Sequence, residues 1–132
     1  MRPVADACHI AVPARELEEA VSYYVDGLGV KLARRYDDRV TFDFFGDQLV
    51  CHLSDNVPEK ALPYPRHFGV SFADPDDFDR LVRLVEYRGL RVIREPGVRF
   101  EGTAERHRTI FLADPSNNVL EFKNYDDPRL QY

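Results

Sequence analysis

Apolar residues alternate with polar or small ones in short runs along this chain, and the runs come in an order that occurs twice. ACHIAV (7–12) reads as a strand. Leu17, Ala20, Val21, Tyr24 and Leu28 then recur at helical spacing. This predicts a helix from about Glu16 to Gly27, stopped by the glycines of GLGV. VKLARRY (30–36), RVTFDFF (39–45) and QLVCHL (48–53) read as three strands, the last two joined by a tight turn at Gly46-Asp47. A proline-bearing linker, NVPEKALPYP (56–65), follows. Then the order restarts. HFGVSF (67–72) is a strand, and Asp74-Pro75 is the cap and first turn of a helix whose stripe is Phe78, Leu81, Val82 and Val85. Gly89 stops that helix. LRVIRE (90–95) is a strand, PGVRFEGTAERHR (96–108) a long loop, and TIFLADPSNNVLEFK (109–123) a closing hairpin turning at Asp114 to Asn118. The tail NYDDPRLQY is expected to be loosely held.

The two halves can be laid on each other. His9 falls on His67 with an offset of 58 residues, Gly29 on Gly89 with 60, and Phe42 and His52 on Phe111 and Glu121 with 69. The common last offset predicts closing hairpins that match without a gap. The pattern is an internal duplication of a strand–helix–strand–strand–strand unit. It divides a single domain, residues 1–132, into a first module of about 5–55, a linker of 56–65 and a second module of about 66–125.

Strand alternation sorts the side chains by face. Ile10 and Val12 share one face of the first strand, and Phe68, Val70 and Phe72 share one face of its repeat. The more apolar face excludes His9, His52, His67 and Glu121. The amphipathic helices must cover the apolar faces, which leaves these four residues on a hollow lined by the small residues Ala11 and Gly69. Three imidazoles and a carboxylate suit divalent iron, nickel, zinc or manganese, and a buried Glu121 needs a cation. A single strand histidine is ordinarily a packing residue. Here three of the four histidines in the chain fall on repeat-related positions. The fourth, His107, sits among charges in AERHRT and is expected to be a solvated loop residue. Arg99 and Phe100 lie in the enlarged loop beside the last hairpin and are expected to contact a substrate. Tyr23, Tyr24 and Cys51 read as packing residues.

Composition narrows the function classes. A net charge of −5 argues against general nucleic-acid binding and against an acidic membrane surface. No run approaches the roughly 20 apolar residues of a spanning helix. Two cysteines, Cys8 and Cys51, make no disulfide framework, and no signal peptide precedes the first strand, so a cytoplasmic setting is expected.

Three stretches carry a wider resemblance: HIAVPARELEEAVSYYVDGLGV, HFGVSFADPDDFDRLV and FLADPSNNVLEFKNYDDP. The chain resembles the vicinal oxygen chelate superfamily of glyoxalase I, fosfomycin-resistance enzymes, extradiol dioxygenases and bleomycin-resistance proteins. DPSNNVLEF resembles that family's closing signature, Asp-Pro-x-Gly-x-x-x-Glu, with Asn117 or Asn118 where glycine is usual. Asparagine also tolerates positive φ. The resemblance implies an α+β fold in which two βαβββ modules pair into a partly open barrel around a metal site. It implies His9, His67 and Glu121 as metal ligands, with His52 at the fourth position. His52 stands where glyoxalase I commonly carries a glutamate. The triad is also the two-histidine, one-carboxylate set of dioxygenases. The expected protein is a homodimeric, metal-dependent enzyme acting on a small oxygen-rich molecule as a lyase, isomerase or dioxygenase. His52 and Glu121 would be its catalytic groups. The rival expectation is a binder of the bleomycin-resistance type that sequesters a small molecule or drug without turnover.

Overall fold

The computed structural model describes residues 3–132. It contains two four-stranded sheets of the same topology, β1-β4-β3-β2 and β5-β8-β7-β6. The first holds β1 (His9–Ala14), β2 (Lys31–Arg35), β3 (Arg39–Phe44) and β4 (Asp47–Leu53). The second holds β5 (Phe68–Ser71), β6 (Val92–Arg99), β7 (His107–Ala113) and β8 (Val119–Tyr125). In each sheet the first strand runs parallel to the last and the remaining pairs are antiparallel. The architecture is α+β, two βαβββ modules whose sheets do not close into a barrel. No helix among the described residues is long and apolar enough to cross a membrane.

The second helix, α2 (Pro75–Arg88), forms where its signals place it. Asp74 accepts the Asp76 N–H at 2.8 Å, Pro75 opens the first turn, and Gly89 ends the helix at φ 62°. The first helix differs from expectation. α1 covers only Leu17–Val21, and Ser22–Gly27 continues as a wider π-turn. The Leu28 N–H reaches back five residues to the Tyr23 carbonyl at 2.9 Å. The wider turn directs Tyr23 and Tyr24 inward together, edge to face at 5.0 Å, and the Tyr24 hydroxyl donates to Asp114 at 2.8 Å.

The apolar faces form one core shared by both modules. Phe42, Leu49 and Val40 from the first join Phe122, Leu120 and Val85 from the second. Phe44 meets Phe68 and Phe122 across the divide, at 5.6 and 6.3 Å. Cys51 is buried among them, and burial pushes its thiol up to about 12, so it acts as packing.

Several boundaries move. β1 runs through Pro13, which an edge strand tolerates because one side needs no donors. The first hairpin turns on Phe45 and Gly46, both at positive φ, one residue before the expected pair. The Phe45 ring lies over Phe72 and Phe122, so the turn also fastens the modules. β6 extends to Arg99 and β7 begins at His107, which shortens the predicted loop to residues 100–106. The tail is tied down more than expected. Arg106 holds Asp126 through both carboxylate oxygens, and Pro128–Gln131 forms a 3₁₀ turn capped by Asp127.

The register also corrects the alignment of the two halves. Ala11 pairs with Val50 and Gly69 pairs with Glu121. Val50, not His52, is therefore the counterpart of Glu121, and His52 is the counterpart of Lys123. The second closing hairpin carries a longer turn, so the two hairpins do not match without a gap. One irregularity is common to both modules. β2 bulges between Leu32 and Arg34 against β3, and β6 bulges between Val92 and Arg94 against β7.

Candidate metal centre

Strand alternation in the second module sets His67, Gly69 and Ser71 on the face that carries Glu121, Lys123 and Tyr125. Cross-strand register adds Phe111, Thr109 and His107 from β7. Glu121 is 7% exposed at the centre of this face. Its Oε2 accepts from the Thr109 hydroxyl at 2.8 Å. Its Oε1 lies 3.5 Å from His67 Nε2 and 3.4 Å from Lys123 Nζ. The backbone of β5 comes unusually close here. A Cβ on Gly69 would stand 1.7 Å from the Glu121 carbonyl oxygen, so only glycine fits.

His67 is oriented from its other side. Nδ1 is 2.6 Å from the Pro63 carbonyl, which only accepts, so Nδ1 carries the proton. The other ring nitrogen, Nε2, then faces a carboxylate oxygen of Glu121. Nε2 and Oε1 stand 3.5 Å apart, an imidazole–carboxylate pair that could hold an ion between them. Lys123 is too far for a well-formed hydrogen bond to Glu121, and a divalent ion suits the imidazole–carboxylate pair. The backbone carbonyl behind the ring and the hydroxyl behind the carboxylate are the outer supports that ligating groups characteristically have.

His9 shows the same device on the other sheet. Its Nδ1 bonds the Gln48 side-chain oxygen, opposite it on β4, which leaves Nε2 for ligation. His52 lies two residues beyond Val50 on the same strand face and is exposed. Within one chain the structure thus brings together His67 and Glu121 and leaves His9 and His52 on the first sheet. Among the described residues of one chain, no three His, Cys, Asp or Glu side chains gather to hold an ion.

Arg99 donates to the Tyr64 hydroxyl at 3.3 Å, and Arg94 lies over the Tyr64 and Phe111 rings. The hydrogen bond from Arg99 is the main cause that holds the Tyr64 phenol below its ordinary range. Tyr64 stands 5.7 Å from the His67 ring. Phe100, at φ 55°, is half exposed and approaches His107 at 5.8 Å. His107 itself departs from expectation. It opens β7, is 6% exposed, and packs 4.4 Å from the Tyr125 ring. The charged neighbours that made it look solvated turn outward, among them Arg108 to Asp79 at 2.7 Å.

Sequence reasoning missed Thr109, Lys123, Gln48 and Tyr64. Parity gave a usable signal for Lys123, which shares the face of Glu121. Thr109 and Gln48 need the cross-strand register, and Tyr64 comes from a linker that parity does not describe.

A family model for the Glyoxalase/Bleomycin resistance protein/Dioxygenase superfamily matches residues 8–122. The chain is 55% identical to a glyoxalase/bleomycin resistance protein/dioxygenase from Alicyclobacillus acidocaldarius, whose crystal structure superposes with a TM-score of 0.97 over 100% of both chains. It is 29% identical to lactoylglutathione lyase of Neisseria meningitidis over 130 residues, covering 90% of this chain and 92% of that protein. The fosfomycin resistance protein FosX of Listeria monocytogenes shares the fold at 14% identity, with a TM-score of 0.73 over 96% of this chain and 98% of that one.

Proposed function

The chain belongs to the glyoxalase/bleomycin resistance protein/dioxygenase superfamily, and from that premise we propose that it is a metal-dependent enzyme acting on a small, oxygen-rich molecule. His67 and Glu121 of one copy, with His9 of a second copy, hold a divalent iron, nickel, zinc or manganese ion. The observation that carries this reading is His67 Nε2 facing Glu121 Oε1 across 3.5 Å.

A divalent ion there would supply Lewis-acid stabilisation to substrate oxygens as they gain negative charge. The protein's own groups do the rest. Thr109 fixes one oxygen of Glu121 and so presents the other. The Pro63 carbonyl keeps the proton of His67 on Nδ1. His52 of the second copy, one step along the strand from the Glu121-equivalent position, acts as an acid or base beside the substrate. Arg99 and Phe100 border the substrate's approach, with Arg99 and Tyr64 offering donors to developing negative charge.

Two features support a homodimer. One copy presents its ligands on two separate sheets, and Leu32, Leu53 and Val98 on three strands expose apolar side chains that a partner would cover. Cys8 and Cys51 as free thiols accord with a reducing cytoplasm.

The test is metal content after incubation with nickel and removal of excess. Wild type and Tyr87→Ala, a change at an 89% exposed position, should retain stoichiometric nickel. His9→Ala, His67→Ala and Glu121→Ala should each lose it. Equal nickel in all five proteins would overturn the reading.

A further inference from the structure

A groove of about 440 Å³ runs beside Glu121, where the first hairpin and the C-terminal turn meet the strand pair β5–β8. Its wall carries Ser71, Lys123 and Tyr125, and Gly69, the strand partner of Glu121, also lines it. Ser71 and Lys123 face each other across the parallel pair. The Ser71 hydroxyl is buried and finds no hydrogen-bond partner among the described residues. A buried orphan hydroxyl is costly, and folded proteins rarely leave one without a reason. The Lys123 ammonium is similarly underused. Its two polar contacts, Glu121 Oε1 and the Tyr125 hydroxyl, both lie at 3.4 Å, longer than a well-made bond, and it also lies 5.5 Å from the Tyr125 ring centre.

We infer that this groove seats a carboxylate at the far end of the substrate, received by the Lys123 ammonium and the Ser71 hydroxyl. The substrate class is then a short hydroxy- or oxo-dicarboxylic acid. One end presents neighbouring oxygens toward His67 and Glu121, and the other ends in the second carboxylate. The spacing supports this assignment. Lys123 Nζ stands 3.4 Å from Glu121 Oε1, so the two ends of the substrate are only a few bonds apart. Charge supports it too. Lys123 neutralises Glu121 in the bare chain, and a divalent ion on Glu121 would leave the ammonium in excess. Asp47 also borders the groove, but its Oδ1 is engaged by the Cys8 N–H at 2.7 Å.

This inference rests on the metal centre proposed above, and the experiment separates the two. Malate and 2-hydroxybutyrate share the hydroxyl and first carboxylate, and only malate has the second. Each is titrated calorimetrically into nickel-loaded wild type, Lys123→Met, Lys123→Arg and Ser71→Ala. Wild type should prefer malate by about tenfold, the size of one charge-assisted hydrogen bond. Lys123→Met should lose the preference while keeping its nickel, Lys123→Arg should keep most of it, and Ser71→Ala should lose part. Nickel uptake without a malate preference, or a preference that survives Lys123→Met, overturns this inference alone. Failure of wild type to take up nickel overturns the metal centre and this inference together.

Discussion

A methyl group at residue 69 has nowhere to go. It would meet the Glu121 carbonyl at 1.7 Å, and the obstacle is backbone that cannot rotate aside. Gly69→Ala should therefore destabilise the fold by about 1–3 kcal/mol, as overpacking does, and shift Glu121 away from His67. Urea denaturation and nickel retention would read the two effects separately. Asp114 is a second position where one side chain organises its surroundings. It accepts from the Tyr24 hydroxyl, from the backbone of Ser116 and Asn118, and from the Asn118 amide. Burial raises its pKa from the ordinary 3.8 despite those bonds. The folded state thus holds the proton more tightly than the unfolded chain. The stability owed to the protonated form is complete below 3.8 and is lost as pH rises through the folded value. The stability gap between wild type and Asp114→Asn should widen as pH falls toward 4, measured by urea titrations at several pH values. At this scale alternation was a good guide, because which face of a strand a residue takes depends only on its place in the run. It placed His67, Glu121 and Cys51, and the asparagine tolerated at positive φ is Asn117, at 64°. His107 was misread because its charged neighbours point away from it, which a linear sequence does not convey.

Elements were legible where their chemistry is local. Asp74, Pro75 and Gly89 mark the ends of α2 without reference to anything distant, and the helix obeys them. Asp74→Ala should cost about 1 kcal/mol through the lost cap, seen as a lowered denaturation midpoint with unchanged slope. The first helix was not legible to the same depth. Its apolar spacing accommodates either an α-helix or a widened turn. The choice is bound up with Tyr24 reaching Asp114, 90 residues away. Likewise Pro96 and Gly97 look like loop residues, yet β7 supplies enough partners for β6 to continue through them with a second bulge between Arg94 and Gly97. The offset between the closing hairpins was misjudged for a related reason. Residue identity aligned Phe42 with Phe111, whereas pairing aligns it with Leu112, which faces Leu120 as Phe42 faces Leu49.

At the scale of the molecule, the shared core explains why one copy is a stable unit and yet leaves its hollows open. Tyr24, Phe42, Phe44 and Phe122 join the two modules through their apolar faces, so the polar faces look outward. A site shared between copies makes an unusual prediction. His9→Ala and Glu121→Ala should each bind no nickel alone, but unfolding and refolding them together should restore binding. Each mixed dimer would pair an intact His9 with an intact Glu121 at one of its two sites. A mixture as inert as its parents would overturn the shared site. The bulge between Leu32 and Arg34, repeated between Val92 and Arg94, bears on how such a molecule arose. The same irregularity at the same place in both sheets is what a duplication of one half predicts. Either half alone would leave its apolar face bare, and the other half covers it. The chain thus carries one such pairing inside itself, and the proposed metal site would ask for a second between copies.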